Sequence, residues 1–212
     1  MYTSSLPQNS APRPFLIAVA GPSCAGKTEV ATGVAARLDA PVLTLDAYYR
    51  DLAHLPFAER AMMNFDTPEA LESELLIEHL QQLVSGNAVR APVYDFSQHV
   101  RAAETRLIRP ASFIILEGLW ALYWEQLRRL ASLKVFVAAP DEICLARRIA
   151  RDTRQRGRTA ESVVEQYRRT VQPMARLYIL PTMRYADLVL DGAGRLEDSI
   201  EAVLARIPAR LP

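Results

Sequence analysis

Half of the 212 residues are hydrophobic, and 25 Lys and Arg against 24 Asp and Glu leave a formal net charge of +1. A chain of this length holds one full α/β domain with a small lid, burying roughly 70% of its unfolded surface, and has no room for a second large domain. The even charge excludes a global attraction to nucleic acid or to an anionic membrane, so the expected partners are local ones.

The first 14 residues carry three prolines and no basic stretch ahead of an apolar one. They read as a flexible tail before a single domain over 15–212, and not as a signal peptide. Short apolar runs follow at 15–20 (FLIAVA), 42–45, 113–116 (FIIL), 133–138 (LKVFVA) and 188–190. They are nearly continuous and not alternating, which is the pattern of strands covered on both faces, so a five-stranded parallel sheet is expected. Helical periodicity fills the gaps at 27–38, 68–84, 120–130, 141–156, 160–183 and 196–207, with a kink or break expected at Pro173. Strands alternating with helices predict an α/β doubly wound fold. One segment departs from that rhythm. Residues 88–108 carry Pro92, aromatic residues and alternating polar positions, which predict a β-hairpin inserted over the sheet edge as a substrate lid. No run approaches the roughly 18 apolar residues of a membrane span. Cys24 and Cys144 are too few for a disulfide framework or a CxxC metal site, so a cytoplasmic protein is expected.

Directly after the first strand stands Gly21-Pro22-Ser23-Cys24-Ala25-Gly26-Lys27-Thr28, the pattern G-x-x-x-x-G-K-[ST] between a strand and a helix. Glycines let this backbone turn its N–H groups toward phosphates at the positive end of a helix. Lys27 then reaches the β and γ oxygens of a nucleoside triphosphate, and Thr28 offers a hydroxyl to Mg²⁺. Lys27 and Lys134 are the only lysines in a chain that otherwise writes positive charge as arginine. Open parallel sheets bind ligands at the carboxyl ends of their strands, and there Asp46 ends the second run and Glu117 the third. Mg²⁺ takes hard oxygen ligands, and a phosphoryl acceptor needs a carboxylate near its hydroxyl proton. Either acid alone would read as a helix cap or a solvated strand end; both beside a phosphate loop read as a site.

Further blocks follow in order: Asp46-Ala-Tyr-Tyr-Arg-Asp51, Asn64-Phe-Asp-Thr-Pro68, Pro92-Val-Tyr-Asp-Phe-Ser-Gln-His99, Ile115-Leu-Glu-Gly118, Arg147-Arg-Ile-Ala-Arg-Asp152, Arg156-Gly-Arg158 and Arg184-Tyr-Ala-Asp187. From the phosphate loop to about Leu190 they resemble the successive motifs of uridine kinases. The resemblance implies a P-loop kinase fold with the Asp46 strand beside the Glu117 strand, itself beside the P-loop strand. It also implies transfer of the γ-phosphoryl group of ATP or GTP to the 5′-hydroxyl of uridine and cytidine, in a homo-oligomer that is commonly a tetramer. By the same resemblance Asp46 is the general base, and Thr28, Asp46 and Glu117 surround Mg²⁺. Asp66 holds the ribose 2′- and 3′-hydroxyls. Tyr49, Phe65, Tyr94, Phe96 and His99 line the base pocket with Gln166 nearby, Arg148 and Arg151 reach the sugar, and Arg154, Arg156 and Arg158 close over the phosphoryl group in a helical lid over about 151–162.

Several of these residues also have blander readings. The arginines from Arg147 to Arg158 could form a solvated helix face, the better reading for Arg147, although Gly157 interrupts helix propensity where a mobile lid would need it. Tyr94 and Phe96 could be ordinary hairpin packing, and His54 and His79 read as surface or cap residues. Trp120 and Trp124, one helical turn apart, read as core or subunit interface. Ala25, Thr67, Gln172 and Met183 depart from the family pattern without removing a catalytic group. A phosphoribulokinase- or pantothenate kinase-like enzyme would share Lys27, Thr28 and Glu117 but not the aromatic-histidine hairpin. A non-catalytic nucleotide-binding regulator would have no use for Asp46, Glu117 and Arg158 together.

Overall fold

A computed structural model describes residues 13–209, so nearly all of the expected N-terminal tail lies outside the described residues. Strands β1 (Phe15–Ala20), β2 (Val42–Thr44), β5 (Phe113–Glu117), β6 (Leu133–Ala138) and β7 (Leu188–Asp191) form one parallel sheet in the order β2-β5-β1-β6-β7. The remaining strands, β3 (Val89–Asp95) and β4 (Val100–Ile108), pair antiparallel as the separate hairpin expected over 88–108.

Alternation along β1 explains why the sheet has two dry faces. Leu16, Ala18 and Ala20 enter one core cluster, while Phe15, Ile17 and Val19 enter the other. Leu16, Ile17 and Val19 are fully buried, each worth about 1.5–3 kcal/mol of apolar burial. On the first face lie β3, α3 (Ser73–Val84) and α4 (Glu125–Leu130), supplying Val89, Leu76, Leu80 and Leu127. On the second lie α1 (Lys27–Leu38), α5 (Asp141–Gln155) and α8 (Leu196–Leu204), supplying Val30, Cys144 and Ile200. Register then brings the functional ends together. Val19 sits opposite Glu117, and Glu117 opposite Thr44, so β1, β5 and β2 deliver the phosphate loop, Glu117 and Asp46 to one edge.

Four sequence expectations need correction. The strand expected over 42–45 ends at Thr44, because Leu45–Tyr48 tighten into a 3-10 turn that carries Asp46. The helix expected over 68–84 is divided: Pro68 opens a short 3-10 turn, Leu71 bridges back to Tyr49, and α3 starts only at Ser73. Over 120–130 only α4 is helical; fully buried Trp120 plugs the core within a chain of turns, and Trp124 packs against the same core. Pro173 does not break the helical run. The chain runs through α6 (Ala160–Gln166), a π-helical stretch Tyr167–Val171, α7 (Gln172–Met174), a second π-helical stretch Ala175–Ile179 and the 3-10 segment Leu180–Tyr185. Widened turns on both sides absorb the missing proline N–H. A short helix, α2 (Phe57–Met62), was not anticipated; it buries none of its residues and therefore lacks the apolar stripe that reveals a helix in sequence. No helix among the described residues is long and apolar enough to cross a membrane.

Candidate active site

The phosphate loop joins β1 to α1 through backbone that ordinary residues adopt rarely. Gly21, Cys24 and Gly26 have φ of 147°, 62° and 108°. At Gly21 a Cβ would meet the Val137 carbonyl oxygen at 2.3 Å, so glycine is required both by conformation and by the close passage of β6. Lys27 opens α1, is only 7% exposed, and donates from Nζ to the Pro22 carbonyl at 2.9 Å, curled over its own loop. Two arginines of α5 hold the loop from outside. Arg148 donates to Ser23 Oγ at 2.9 Å, and Arg147 donates to the carbonyls of Cys24, Ala25 and Gly192 at 3.4, 3.4 and 2.9 Å. Arg147, exposed as the solvated-face reading expects, is also a brace between the loop and the turn after β7.

At the carboxyl edge Thr28 Oγ1 donates to Glu117 Oε2 at 3.3 Å, with Glu117 buried at 6% exposure. Asp46 lies in the adjoining turn. Burial first, and the Glu117 carboxylate second, raise its pKa from 3.8 to about 6, against the opposing pull of Lys27, Arg156 and Arg151. A hydroxyl and two mutually repelling carboxylates are the hard oxygen donors that a small divalent cation takes. Among the described residues no group of three or more His, Cys, Asp or Glu is placed to hold a metal ion by itself.

Beside Asp46 the hairpin and Tyr49, just after the 3-10 turn, build an aromatic cluster. Tyr49 packs against Phe65, Tyr94 and Phe96 at ring-centre distances of 5.5, 5.3 and 6.5 Å, and its hydroxyl donates to the Phe65 carbonyl at 3.1 Å. His99 stacks on Phe65 at 4.9 Å and 16° and faces Phe57 of α2 at 6.2 Å. Burial, then Arg60, lowers the His99 pKa, so its imidazole is neutral at pH 7. Tyr94 is buried to 8% exposure, and its hydroxyl has no partner among the described residues; burial raises its pKa to about 12. The hairpin is fastened by Arg101, which donates to the carbonyls of Tyr49 and Tyr48 at 3.0 and 3.2 Å and pairs with Glu72 at 2.6 Å.

Asp66 follows Phe65 at the edge of this cluster, close enough to Tyr49 to act on its hydroxyl. Its backbone N–H is held by Asn64 Oδ1 at 3.0 Å and its Oδ2 accepts from Thr170 at 3.1 Å; burial raises its pKa, with Arg148 and that hydrogen bond opposing. Gln166 joins the lid to this region, accepting from Arg148 at 3.4 Å and from Arg158. Arg148, Arg151, Arg156 and Arg158 all gather on Asp152, whereas Arg154 is exposed and joins none of those pairs.

Asp152 and Thr170 were missed in the sequence. An acid alone in an arginine run, four residues from Arg148 and from Arg156, was a readable signal for Asp152; Thr170, 104 residues from Asp66, offered none. His79, read as a surface or cap residue, instead shares a 3.0 Å hydrogen bond with the buried Tyr48 hydroxyl; His54 is exposed. Of the departures from the family pattern, Gln172 bonds Asp141, Thr67 leans on the Asn64 carbonyl, Ala25 is buried and Met183 is exposed.

Residues 16–197 match the Phosphoribulokinase / Uridine kinase family. A protein named uridine kinase from Chloroflexus aurantiacus is 44% identical over 201 residues, covering 93% of this chain and 96% of that one. Another of the same name from Tolumonas auensis is 43% identical over 199 residues, covering 91% and 93%. A solved kinase structure from Silicibacter sp. TM1040 superposes with a TM-score of 0.71 at 21% identity, covering 86% of this chain and 92% of that one, a likeness of fold. With the phosphate loop, the strand order and the two strand-end acids already in view, the chain belongs to the phosphoribulokinase and uridine kinase family of P-loop kinases.

Proposed function

We propose that this protein is a uridine kinase that transfers the γ-phosphoryl group of ATP or GTP to the 5′-hydroxyl of uridine and cytidine, giving UMP and CMP for pyrimidine salvage. The observation that carries the reading is the aromatic and histidine pocket of Tyr49, Phe65, Tyr94, Phe96 and His99 next to a carboxyl raised to about 6 at Asp46. Planar rings at this spacing suit a planar base, and neither a sugar phosphate nor pantothenate would use them.

In this reading the base stacks among the aromatic rings and its polar edge meets His99 and the Tyr94 hydroxyl, which has no partner among the described residues. Asp66 accepts both vicinal ribose hydroxyls. Asp46 takes the 5′-hydroxyl proton, a task for which a pKa near the working pH is suited. Lys27 and the loop N–H groups hold the phosphates, while Arg148, Arg151, Arg156 and Arg158 offset charge on the transferring group. Mg²⁺, for which Thr28, Glu117 and Asp46 are the fitting oxygen donors, supplies further neutralisation of the phosphate oxygens when bound. The proposal includes a single kinase domain over 15–212 with its hairpin insertion and lid, a homo-oligomer, with a tetramer as its expected form, and a cytoplasmic location, with which the free thiols of Cys24 and Cys144 agree. The test is phosphoryl transfer from ATP·Mg²⁺ measured across ribonucleosides, deoxyribonucleosides, pantothenate and ribulose 5-phosphate. Efficient turnover of uridine and cytidine alone is expected, and preference for either non-nucleoside would overturn the reading.

A further inference from the structure

Asp152 is fully buried and has four guanidinium groups around it. The contacts are unequal. Arg151 donates a hydrogen bond to Oδ1 at 2.8 Å, whereas Arg148, Arg156 and Arg158 stand off at 3.6, 3.7 and 3.7 Å. Oδ2 has no hydrogen-bond donor among the described residues, and neither does the buried Nε of Arg148 find an acceptor. A carboxylate with two oxygens accepts about four hydrogen bonds, so this one holds a single arginine firmly and three through charge alone. The backbone of the same residue adds to the arrangement. Gly157, with φ of 62°, ends α5 and turns the chain back, and the Asp152 carbonyl accepts from the N–H groups of Arg156 and Arg158 at 3.1 and 3.2 Å.

The cluster faces both halves of the site. Arg148 reaches Ser23 of the phosphate loop, and Arg151 and Arg156 both act on Asp46. Four positive charges against one negative leave a net excess at the place where a polyphosphate approaches.

We propose that Asp152 is a positioning residue whose carboxylate acts as an internal stand-in for the phosphoryl group. It keeps Arg148, Arg156 and Arg158 aimed at the site without substrate, and it weakens the cluster's hold on anions so that they exchange. The inference deepens the kinase reading above, which it presupposes for its kinetic consequences but not for its binding consequence.

The experiment is therefore double. Affinity for inorganic tripolyphosphate is measured by calorimetry on the full chain and on Asp152→Asn, with no nucleoside present. Neutralising the carboxylate while four cations remain should tighten binding by about tenfold or more. With ATP·Mg²⁺ and uridine the same variant should show KM for ATP and kcat falling together, a pattern that loss of structure does not produce. Unchanged or weaker tripolyphosphate binding in a folded variant overturns the proposal. If Asp152→Asn is unfolded at low salt, recovery of its circular dichroism by millimolar sulfate, where chloride at equal ionic strength does not restore it, supports the proposal, because the divalent anion then replaces the carboxylate. An unfolded chain at every sulfate concentration assigns Asp152 a purely structural role and overturns it. Tighter tripolyphosphate binding without uridine turnover in the wild-type protein would retain this inference and reject the kinase reading.

Discussion

The two ends of the site are made of different material. The phosphate end is backbone: a glycine-bearing loop rising from β1, whose six residues are all buried, with Gly21 pressed against the Val137 carbonyl. The base end is side chain, with Phe65, Tyr94 and Phe96 packed around Tyr49, which follows the 3-10 turn, and His99 set between Phe65 and Phe57 of the exposed helix α2. A scaffold built on a buried sheet tolerates little change, while one built on surface elements tunes by substitution. Changes at the phosphate end should abolish chemistry, and changes at the base end should shift selectivity.

The largest effect should come from Lys27→Ala. Its ammonium is buried in the loop, and Lys134 cannot replace it, being paired with Asp187 at 2.8 Å. Turnover should fall by about a thousandfold or more in steady-state assays. Retention of wild-type kcat would remove the loop from the mechanism and with it the contrast between the ends.

Asp46→Asn should follow, with kcat lowered on the order of a hundred- to a thousandfold and the KM for uridine little changed. The pH dependence has a definite sign. Because Asp46 titrates near 6 in the free protein, kcat/KM should fall as pH drops through about 6 and the base becomes protonated. Stability moves the other way. Protonation is favoured in the fold relative to the unfolded chain, so the Asp46 contribution is fully present below 3.8 and is lost as pH rises through about 6. At pH 7 Asp46→Asn should therefore be more stable than wild type by about 1–3 kcal/mol in urea unfolding, a gain that vanishes below pH 4. A destabilised variant at pH 7 would mean that Asp46 is held by an interaction the raised pKa does not reflect.

The same contrast decides what the sequence could disclose. The phosphate end was legible because its chemistry is local: eight consecutive residues specify the loop, and continuous apolar runs specify the strand that ends in Glu117 and the strand whose following turn carries Asp46. The aromatic pocket was legible only through resemblance, since nothing in the spacing of Tyr49, Phe65 and Tyr94 says that their rings meet. Long-range tertiary demands account for what was lost. Leu71 leaves the helical pattern to bridge to Tyr49, Trp120 leaves it to fill the core, and Thr170 reaches Asp66 from 104 residues further along the chain, beyond the hairpin and two strands of the sheet. Asp152 was visible as a letter but not as a hub, because its partners converge only when Gly157 turns the chain back.

At the base end Asp66 should impose a preference for ribonucleosides. Asp66 is half-buried and its carboxyl already accepts one hydrogen bond from Thr170, so a missing 2′-hydroxyl leaves acceptor capacity unmet. The ratio of kcat/KM for uridine to that for 2′-deoxyuridine is expected on the order of thirtyfold, ~2 kcal/mol. Asp66→Asn should shrink it, and a variant with the ratio intact would move sugar recognition elsewhere.

The smallest effect, and the one most particular to the base end, concerns His99. Uracil presents an O4 acceptor where cytosine presents an N4 donor, and a neutral imidazole serves both by choosing its tautomer. Burial and Arg60 lower the His99 pKa, which favours the neutral imidazole at pH 7, and its ring is held by stacking on Phe65. Its φ of 56° lies in the left-handed region, which Asn and Asp tolerate and an aromatic replacement does not. The informative pair is therefore His99→Asn and His99→Asp. The amide retains a donor and an acceptor, so the uridine to cytidine ratio in kcat/KM should stay nearly constant while both KM values rise from the lost stacking on Phe65. The carboxylate only accepts, so it favours the cytosine amino group and repels O4 of uracil, and the ratio should move toward cytidine by about fivefold, ~1 kcal/mol. Equal ratios in the two variants would show that the base edge is read by another group, with the Tyr94 hydroxyl, unpartnered among the described residues, the first to replace, by Tyr94→Phe.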